Sequence, residues 1–148
     1  MGRTQKLKFP RHALHPNSAI EVHGFCDISI DAYGGCIYLV SIADGKREVH
    51  LFCSKYRVAP FKTLTVPELE LCAALLLAQL MRDVRNMDLF DCPFYFWSDY
   101  AVALSWISDE PSRFQVFIAN RISLIQELSS GINWHQSSRY LVKSCFPE

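Results

Sequence analysis

The sequence lacks a net charge, a long hydrophobic run and a recognisable export signal. Fifteen basic and fifteen acidic residues cancel among 148 residues, so no global field indicates a nucleic-acid or membrane partner. The longest apolar stretch, Leu71–Met81, is shorter than the roughly 20 residues that a membrane-spanning helix needs. Lys6 stands where a myristoylation signal requires Ser or Thr. We therefore expect an intracellular protein, cytoplasmic or nuclear and not secreted, with no membrane partner.

Paired metal-binding motifs are also absent. The six cysteines form no C-x-x-C pair, and most of them stand within apolar runs. This placement is typical of reduced, buried thiols, with a metal or disulfide role as the alternative. The five histidines show neither an H-E-x-x-H motif nor a cluster. The sequence therefore does not predict a zinc site.

The chain does carry enough apolar side chain for one folded domain. Half of its residues are hydrophobic and only 20% are charged, a composition that excludes disorder as the main state. We place a linker or arm at residues 1–18, which contain basic residues, prolines and no hydrophobic period. The domain is expected to span residues 19–135, and residues 136–148 form a divergent tail.

Hydrophobic periodicity predicts an α/β fold with the element order βββαβααβ. Three β-rich runs at residues 20–26, 34–42 and 48–53 indicate an antiparallel meander, and residues 55–62 are expected to form a loop. A capping box formed by Thr65 and Glu68 predicts a helix that runs to about Asn86. The remaining predicted elements are a strand at 94–98, helices at 101–107 and 116–128, and a strand at 131–134.

Three carboxylates stand at informative places in this pattern. Asp27 directly follows the first predicted strand, Asp99 directly follows the fourth, and Glu70 lies near the start of the helix between them. If the two strands are neighbours, all three acids are expected to share one site. Like charges so close are stable mainly beside a divalent cation, and oxygen ligands favour Mg²⁺ or Mn²⁺. The alternative is that the acids are turn residues, helix caps or first-turn acids.

Six groups of short segments follow one another along the chain. They are His23–Ser29 with Ala32–Gly34, Cys53–Lys55 with Arg57–Pro60, Leu69–Leu71, Trp97–Asp99, Leu104 with Trp106–Ile107, and Phe117 with Ala119–Arg121. In this order they resemble the ribonuclease H domain of Pao/BEL-type LTR retrotransposon polyproteins. The resemblance covers about Phe9 to Trp134, and the ordered series is far more specific than any single motif.

The resemblance implies a ribonuclease H-like fold, with a mixed five-stranded sheet and helices on its faces. It implies that Asp27, Glu70 and Asp99 are the catalytic metal ligands, with Asp27 bridging two Mg²⁺ or Mn²⁺ ions and the other acids holding one each. A metal-activated water would then attack the RNA phosphate of an RNA:DNA hybrid. Phe9-Pro10-Arg11 looks like the connection that follows the reverse transcriptase domain in the parent polyprotein.

The basic residues Lys55, Arg57 and Lys62 precede the helix that carries Glu70. In a ribonuclease H-like fold this segment lies near the substrate cleft, so we expect these side chains to bind nucleic-acid phosphates. The alternative is an ordinary solvated surface.

The resemblance ends after Trp134. Family members continue with a basic-His-Val-Pro stretch and then Asn-Pro-Ala-Asp, whose aspartate is the fourth ligand, but residues 135–148 contain no aspartate. His135 lies near the family's histidine, and Glu148 is the remaining acidic side chain. Tyr100 replaces a usual serine beside Asp99, and Phe114 replaces a usual tryptophan.

These departures make the chain look like a retrotransposon relic with impaired hybrid cleavage. Three interpretations remain open: an active hybrid-specific endonuclease, an inactive relic that binds nucleic acid, and a domain that only folds within a larger polyprotein. The carboxylate set also suits integrases, but the meander and the motif order favour ribonuclease H.

Overall fold

The computed structural model of the chain describes residues 19–60 and 63–137. These residues form one five-stranded sheet, three α-helices and a short 3₁₀-helix. The strands are β1 (Ala19–Ile28), β2 (Ala32–Ala43), β3 (Lys46–Val58), β4 (Phe94–Ser98) and β5 (Trp134–Gln136). The helices are α1 (Val66–Asn86), α2 (Ala101–Ile107) and α3 (Val116–Leu128), and the 3₁₀-helix is Pro111–Arg113. The predicted order βββαβααβ is confirmed.

The strands lie in the spatial order β3-β2-β1-β4-β5. The first three form the predicted antiparallel meander, whereas β4 pairs parallel to β1 and β5 pairs parallel to β4. The sheet is therefore mixed. Because β1 and β4 are parallel neighbours, their carboxyl ends lie at the same edge of the sheet.

All three strands of the meander are longer than the runs 20–26, 34–42 and 48–53 that predict them, so Asp27 lies within β1 rather than directly after it. The third strand reaches Val58, so the segment expected to form a loop from Lys55 onward begins as strand. Its pairing with β2 continues to Ala32 opposite Val58, and these backbone bonds extend the strand beyond its hydrophobic pattern. The last strand is Trp134–Gln136 rather than 131–134, because its register is set by pairing with β4.

Helix α1 covers one face of the sheet. Thr65 accepts a hydrogen bond from the Glu68 N–H, and the Glu68 carboxylate accepts one from the Thr65 N–H, which completes the predicted capping box. Gly24 and Gly35 on the underlying strands allow close approach. A Cβ atom would lie 2.9 Å from Met81 Cε at Gly24 and 3.0 Å from Leu77 Cδ1 at Gly35.

The main hydrophobic core lies between this helix and the sheet. It includes Val22, Ile37 and Phe96 from the strands, together with Ile122 and Ile125 from α3. A second cluster surrounds Phe25 and Val40 on the opposite face, with Cys36, Tyr38, Val49 and Trp97 packed against it. The two clusters follow from strand alternation, which directs successive side chains to opposite faces.

The cysteines fit the prediction of buried thiols over the described ranges. Cys26, Cys53 and Cys72 are buried, Cys36 and Cys92 are half-buried, and none of these five is in a disulfide. The predicted arm at residues 1–18 lies outside the described residues, as does the predicted tail from residue 138 onward. Within the described ranges, no helix combines the length and the hydropathy that crossing a bilayer requires.

Candidate active site at the carboxyl ends of β1 and β4

Asp27 and Asp99 lie at one edge of the sheet. Phe25 of β1 pairs with Trp97 of β4, and each acid stands two residues beyond its member of this pair. The expectation that the strands carrying these acids are neighbours is therefore confirmed. Asp27 is exposed within the last residues of β1, and Asp99 is half-buried directly after β4.

Glu70 reaches this edge from α1. Partial burial and the negative charge of Asp99 raise the pKa of the Glu70 carboxyl above its ordinary value of 4.5. The two carboxylates are thus close enough to repel each other.

Tyr100 links the two strand ends. Its side chain is only 9% exposed, and its hydroxyl accepts a hydrogen bond of 2.9 Å from the Ile28 N–H. The same hydroxyl donates to Oδ1 of Asp27 over 3.2 Å. Burial and the negative charges of Asp27 and Asp99 raise the pKa of Tyr100. Tyr100 is therefore a neutral hydrogen-bond partner that orients Asp27.

The donor chemistry of three carboxylates suits a hard cation. Within residues 19–60 and 63–137, however, no three His, Cys, Asp or Glu side chains come close enough together to hold a metal ion. The acids share an edge, but as placed they do not form a ligand set. The Tyr100 hydroxyl binds one oxygen of Asp27, and the charges of Glu70 and Asp99 repel each other.

A histidine and aromatic cluster lies on the sheet face opposite α1. Trp97 Nε1 donates to His23 Nδ1 over 2.9 Å, and His23 Nε2 contacts the Glu21 carboxylate over 2.8 Å. Burial lowers the pKa of His23 despite the opposing effect of Glu21. His135 packs beside this cluster, with its ring centroid 4.9 Å from that of Trp97. Trp97 thus packs within this cluster and against Phe25.

The predicted phosphate-binding residues are not together on one loop. Lys55 and Arg57 lie on the edge strand β3, opposite Gly35 and Tyr33 of β2. Paired residues share a face, and Gly35 faces Leu77 of α1, so both basic side chains leave the sheet on the α1 side. The loop assignment for these two residues is therefore wrong. Lys62 lies outside the described residues.

Tyr56 stands between these two basic residues and faces the other way. It pairs with Gly34, which pairs in turn with Asp27, so Tyr56 shares a face with this acid. Sequence reasoning missed Tyr56 because the third strand was expected to end at Cys53. It noted Tyr100 only as a departure from the family pattern. If the alternation of side chains between the two faces is extended along the third strand to Val58, Tyr56 falls on the face opposite to Lys55 and Arg57.

The Glu70→Gln variant is expected to gain stability relative to the wild type as the pH rises. A raised carboxyl pKa means that the folded state disfavours the ionised form, so the contribution of Glu70 to stability falls above its unfolded pKa. The difference in unfolding free energy between the variant and the wild type should appear from about pH 4.5 upward and level off above the pKa of Glu70 in the folded state. It should stay below about 1 kcal/mol because the site is partly solvated. Urea unfolding at several pH values measures it.

Glu127→Gln, on the exposed side of α3, is the matched control for this series. A Glu70→Gln variant that loses stability as the pH rises would show that the glutamate is a structural ion-pair or capping residue instead.

Comparison with known proteins identifies relatives of both sequence and fold. Residues 2–100 match the family of Pao retrotransposon-like RNaseH-like domains. None of the curated proteins matches the sequence. Among solved structures, RNase H1 from the halophilic archaeon Halobacterium salinarum NRC-1 is 9% identical, with a TM-score of 0.50 over 83% of this chain and 88% of that one. This likeness supports a ribonuclease H-like fold.

Two further structures share less of the architecture. LC9-RNase H1, a type 1 RNase H with the type 2 active-site motif, is 11% identical, with a TM-score of 0.46 over 85% of this chain and 65% of that one. The foamy viral protease-reverse transcriptase in complex with dsDNA is 15% identical, with a TM-score of 0.42 over 85% of this chain and 25% of that one. The chain thus spans most of the archaeal enzyme but only a quarter of the viral one.

Proposed function

This chain belongs to the Pao retrotransposon-like RNaseH-like domain family, and from that membership we propose that it hydrolyses the RNA strand of RNA:DNA hybrids. One observation carries the proposal: Asp27 lies near the carboxyl end of β1, Asp99 directly follows the parallel neighbour β4, and the charge of Asp99 reaches Glu70. Acids at the ends of neighbouring strands suit the endonucleolytic chemistry of this fold better than acids scattered over caps and turns.

The proposed catalytic and metal-binding residues are Asp27, Glu70 and Asp99. Two Mg²⁺ or Mn²⁺ ions, when bound, would activate water and stabilise the leaving oxygen of the phosphodiester. By the family resemblance Asp27 is the shared ligand, and Tyr100 would fix the orientation of its carboxylate. Because the described side chains do not form a ligand set as placed, the acids alone do not define the ion positions.

We propose that cleavage is impaired. Residues 135–148 contain no aspartate to supply the fourth ligand that the family places after the tryptophan. The second candidate function is an inactive retrotransposon relic that folds or binds nucleic acid.

The proposed partners are the RNA:DNA hybrid and the reverse transcriptase domain of a parent polyprotein. Hybrid recognition would use the 2′-hydroxyls and the A-like helix shape rather than base sequence. Lys55, Arg57 and Lys62 remain proposed phosphate contacts. The side chains of Lys55 and Arg57 leave β3 on the α1 side. They would therefore contact phosphates of the nucleic-acid backbone other than the phosphate at Asp27.

Neutralising Lys55 and Arg57 to Gln is expected to weaken binding to hybrids of unrelated sequence by similar factors. Each lost phosphate contact should lower the slope of log affinity against log salt by about 0.7–0.9, because fewer counterions are released on binding. Fluorescence anisotropy titrations over a range of salt concentrations measure this slope. An unchanged slope would remove these residues from the binding surface.

Competition binding tests the proposed function. A labelled RNA:DNA hybrid and a DNA duplex of the same sequence are titrated with the chain at one salt concentration. We expect tighter binding to the hybrid, because only the hybrid presents 2′-hydroxyls in a shallow minor groove. Equal affinity for the two duplexes would contradict hybrid recognition.

A further inference from the structure

Three residues form one row across the meander at the edge that holds the acids. Asp27 of β1 pairs with Gly34 of β2, and Gly34 pairs with Tyr56 of β3. Directly paired residues point to the same face of a sheet. The neighbouring row of Cys26, Gly35 and Lys55 points to the opposite face, where Leu77 of α1 contacts Gly35.

No side chain can stand between Asp27 and Tyr56. A Cβ atom at Gly34 would lie 2.1 Å from the Lys55 carbonyl oxygen, and 2.8 Å from both Cα and Cδ1 of Tyr56. The ring of Tyr56 therefore leans toward Gly34. The row presents an acid, a strip of bare backbone and an aromatic ring on one surface.

Tyr56 is available to a ligand on this surface. It is 49% exposed although it lies within a strand. Two strand spacings separate it from Asp27, a distance of about 10 Å, which corresponds to the axial rise of roughly three base pairs of a duplex. Partial burial, with smaller effects from Cys36 and Asp27, raises the pKa of its phenol to about 12, so the hydroxyl stays protonated at neutral pH.

We propose that Tyr56 is a specificity-determining contact, whose ring packs against the sugars of the hybrid's minor groove and whose hydroxyl hydrogen-bonds a 2′-hydroxyl. This inference rests on the proposed function and names the residue that tells RNA from DNA. Bases in a duplex are already stacked, so an exposed aromatic side chain meets the sugar edge of a shallow groove. A neutral phenol both donates and accepts hydrogen bonds, as does the 2′-hydroxyl.

Binding by Tyr56→Phe and Tyr56→Ala variants tests the proposal. Dissociation constants are measured for an RNA:DNA hybrid and for a DNA duplex of the same sequence, at several salt concentrations. Tyr56→Phe should bind the hybrid about fivefold more weakly and the DNA duplex as tightly as the wild type, because one hydrogen bond is lost. Tyr56→Ala should bind both duplexes more weakly, with a further loss of hybrid preference.

Neither variant should change the salt slope, since Tyr56 carries no charge. Tyr33→Phe is the matched control: Tyr33 lies on the adjacent strand and packs against the α1 core, so hybrid affinity should be unchanged. The Lys55→Gln variant should behave in the opposite way. Its slope of log affinity against log salt should be reduced, while its preference for the hybrid over the DNA duplex is retained.

Two results overturn the inference. If the wild-type chain prefers the hybrid and both folded Tyr56 variants retain that preference, Tyr56 does not read the 2′-hydroxyl, while the proposed function stands. If the wild-type chain shows no preference for the hybrid, the proposed function fails and the role of Tyr56 fails with it. Circular dichroism of each variant establishes that the fold is retained.

Discussion

Replacing the residues after Trp134 with a family-like tail ending in Asn-Pro-Ala-Asp is expected to raise hybrid cleavage in Mg²⁺ about a hundredfold. Chemistry by two ions requires both the attacking and the leaving oxygen to be held in line, and a misplacement of about 1 Å can cost on the order of a hundredfold in rate. The present residues 135–148 offer no aspartate for that task. Single-turnover cleavage of a hybrid with labelled RNA measures the gain.

The matched control is the same tail ending in Asn-Pro-Ala-Asn, which keeps its length and polarity but removes the carboxylate. Asp27→Asn in the active graft should abolish cleavage, to below the level of the unmodified chain. Robust cleavage by the unmodified chain would contradict the proposed impairment. If the graft gains nothing while its fold is intact, the defect lies elsewhere, and Tyr100 beside Asp99 is the first residue to test.

Gly34→Ala is expected to destabilise the fold by about 3 kcal/mol and to lower the melting temperature by roughly 6–12 °C. The added methyl group would meet the Lys55 carbonyl oxygen at 2.1 Å and the backbone of Tyr56 at 2.8 Å. Backbone atoms in a paired strand cannot move aside as a side chain can, so the β2–β3 pairing must distort. Thermal unfolding followed by circular dichroism measures the loss.

Gly24→Ala is the matched control. Its added methyl group would meet only Met81 Cε at 2.9 Å and the side chain of Leu77 at 3.0 Å or more. These flexible side-chain ends can shift, so the cost should be clearly smaller than at Gly34. Equal losses at the two positions would show that close packing alone, and not contact with the backbone, sets the cost.

Much of the fold is predictable from local patterns. The limits of α1 follow from the capping box at Thr65 and the apolar period that ends near Asn86. The strand 94–98 and the helices at 101–107 and 116–128 also lie where the patterns place them. Of these elements, α1 carries an explicit start signal, the capping box, whereas α2 and α3 begin without a side-chain cap.

The strand ends set by pairing were not predictable in this way. β3 continues to Val58 because β2 offers partners as far as Ala32, and β5 is shifted because it follows the register of β4. A strand's limits depend on a neighbour that is distant in sequence. The loop assignment of Lys55 and Arg57 failed for this reason, and the Asp27-Gly34-Tyr56 row was missed with it.

The candidate site was predictable in placement but not in detail. Strand order was enough to place Asp27 and Asp99 at one edge of the sheet, and the charge of Asp99 reaches Glu70. The hydrogen bond from the Tyr100 hydroxyl to Asp27 depends on the path of one ring between two strands, which no sequence pattern encodes. Within the described ranges the three acids also do not form a set of metal ligands, and the sequence pattern does not predict this either.

Cleavage of matched duplexes by the unmodified chain tests the central claim most directly. An RNA:DNA hybrid, an RNA duplex and a DNA duplex of one sequence are incubated with the chain in Mg²⁺, beside the Asp27→Asn variant. We expect slow cleavage confined to the RNA strand of the hybrid and lost in Asp27→Asn. Cleavage without preference for the hybrid, or cleavage that persists in Asp27→Asn, would contradict the assignment of this edge of the sheet as a ribonuclease H-like active site.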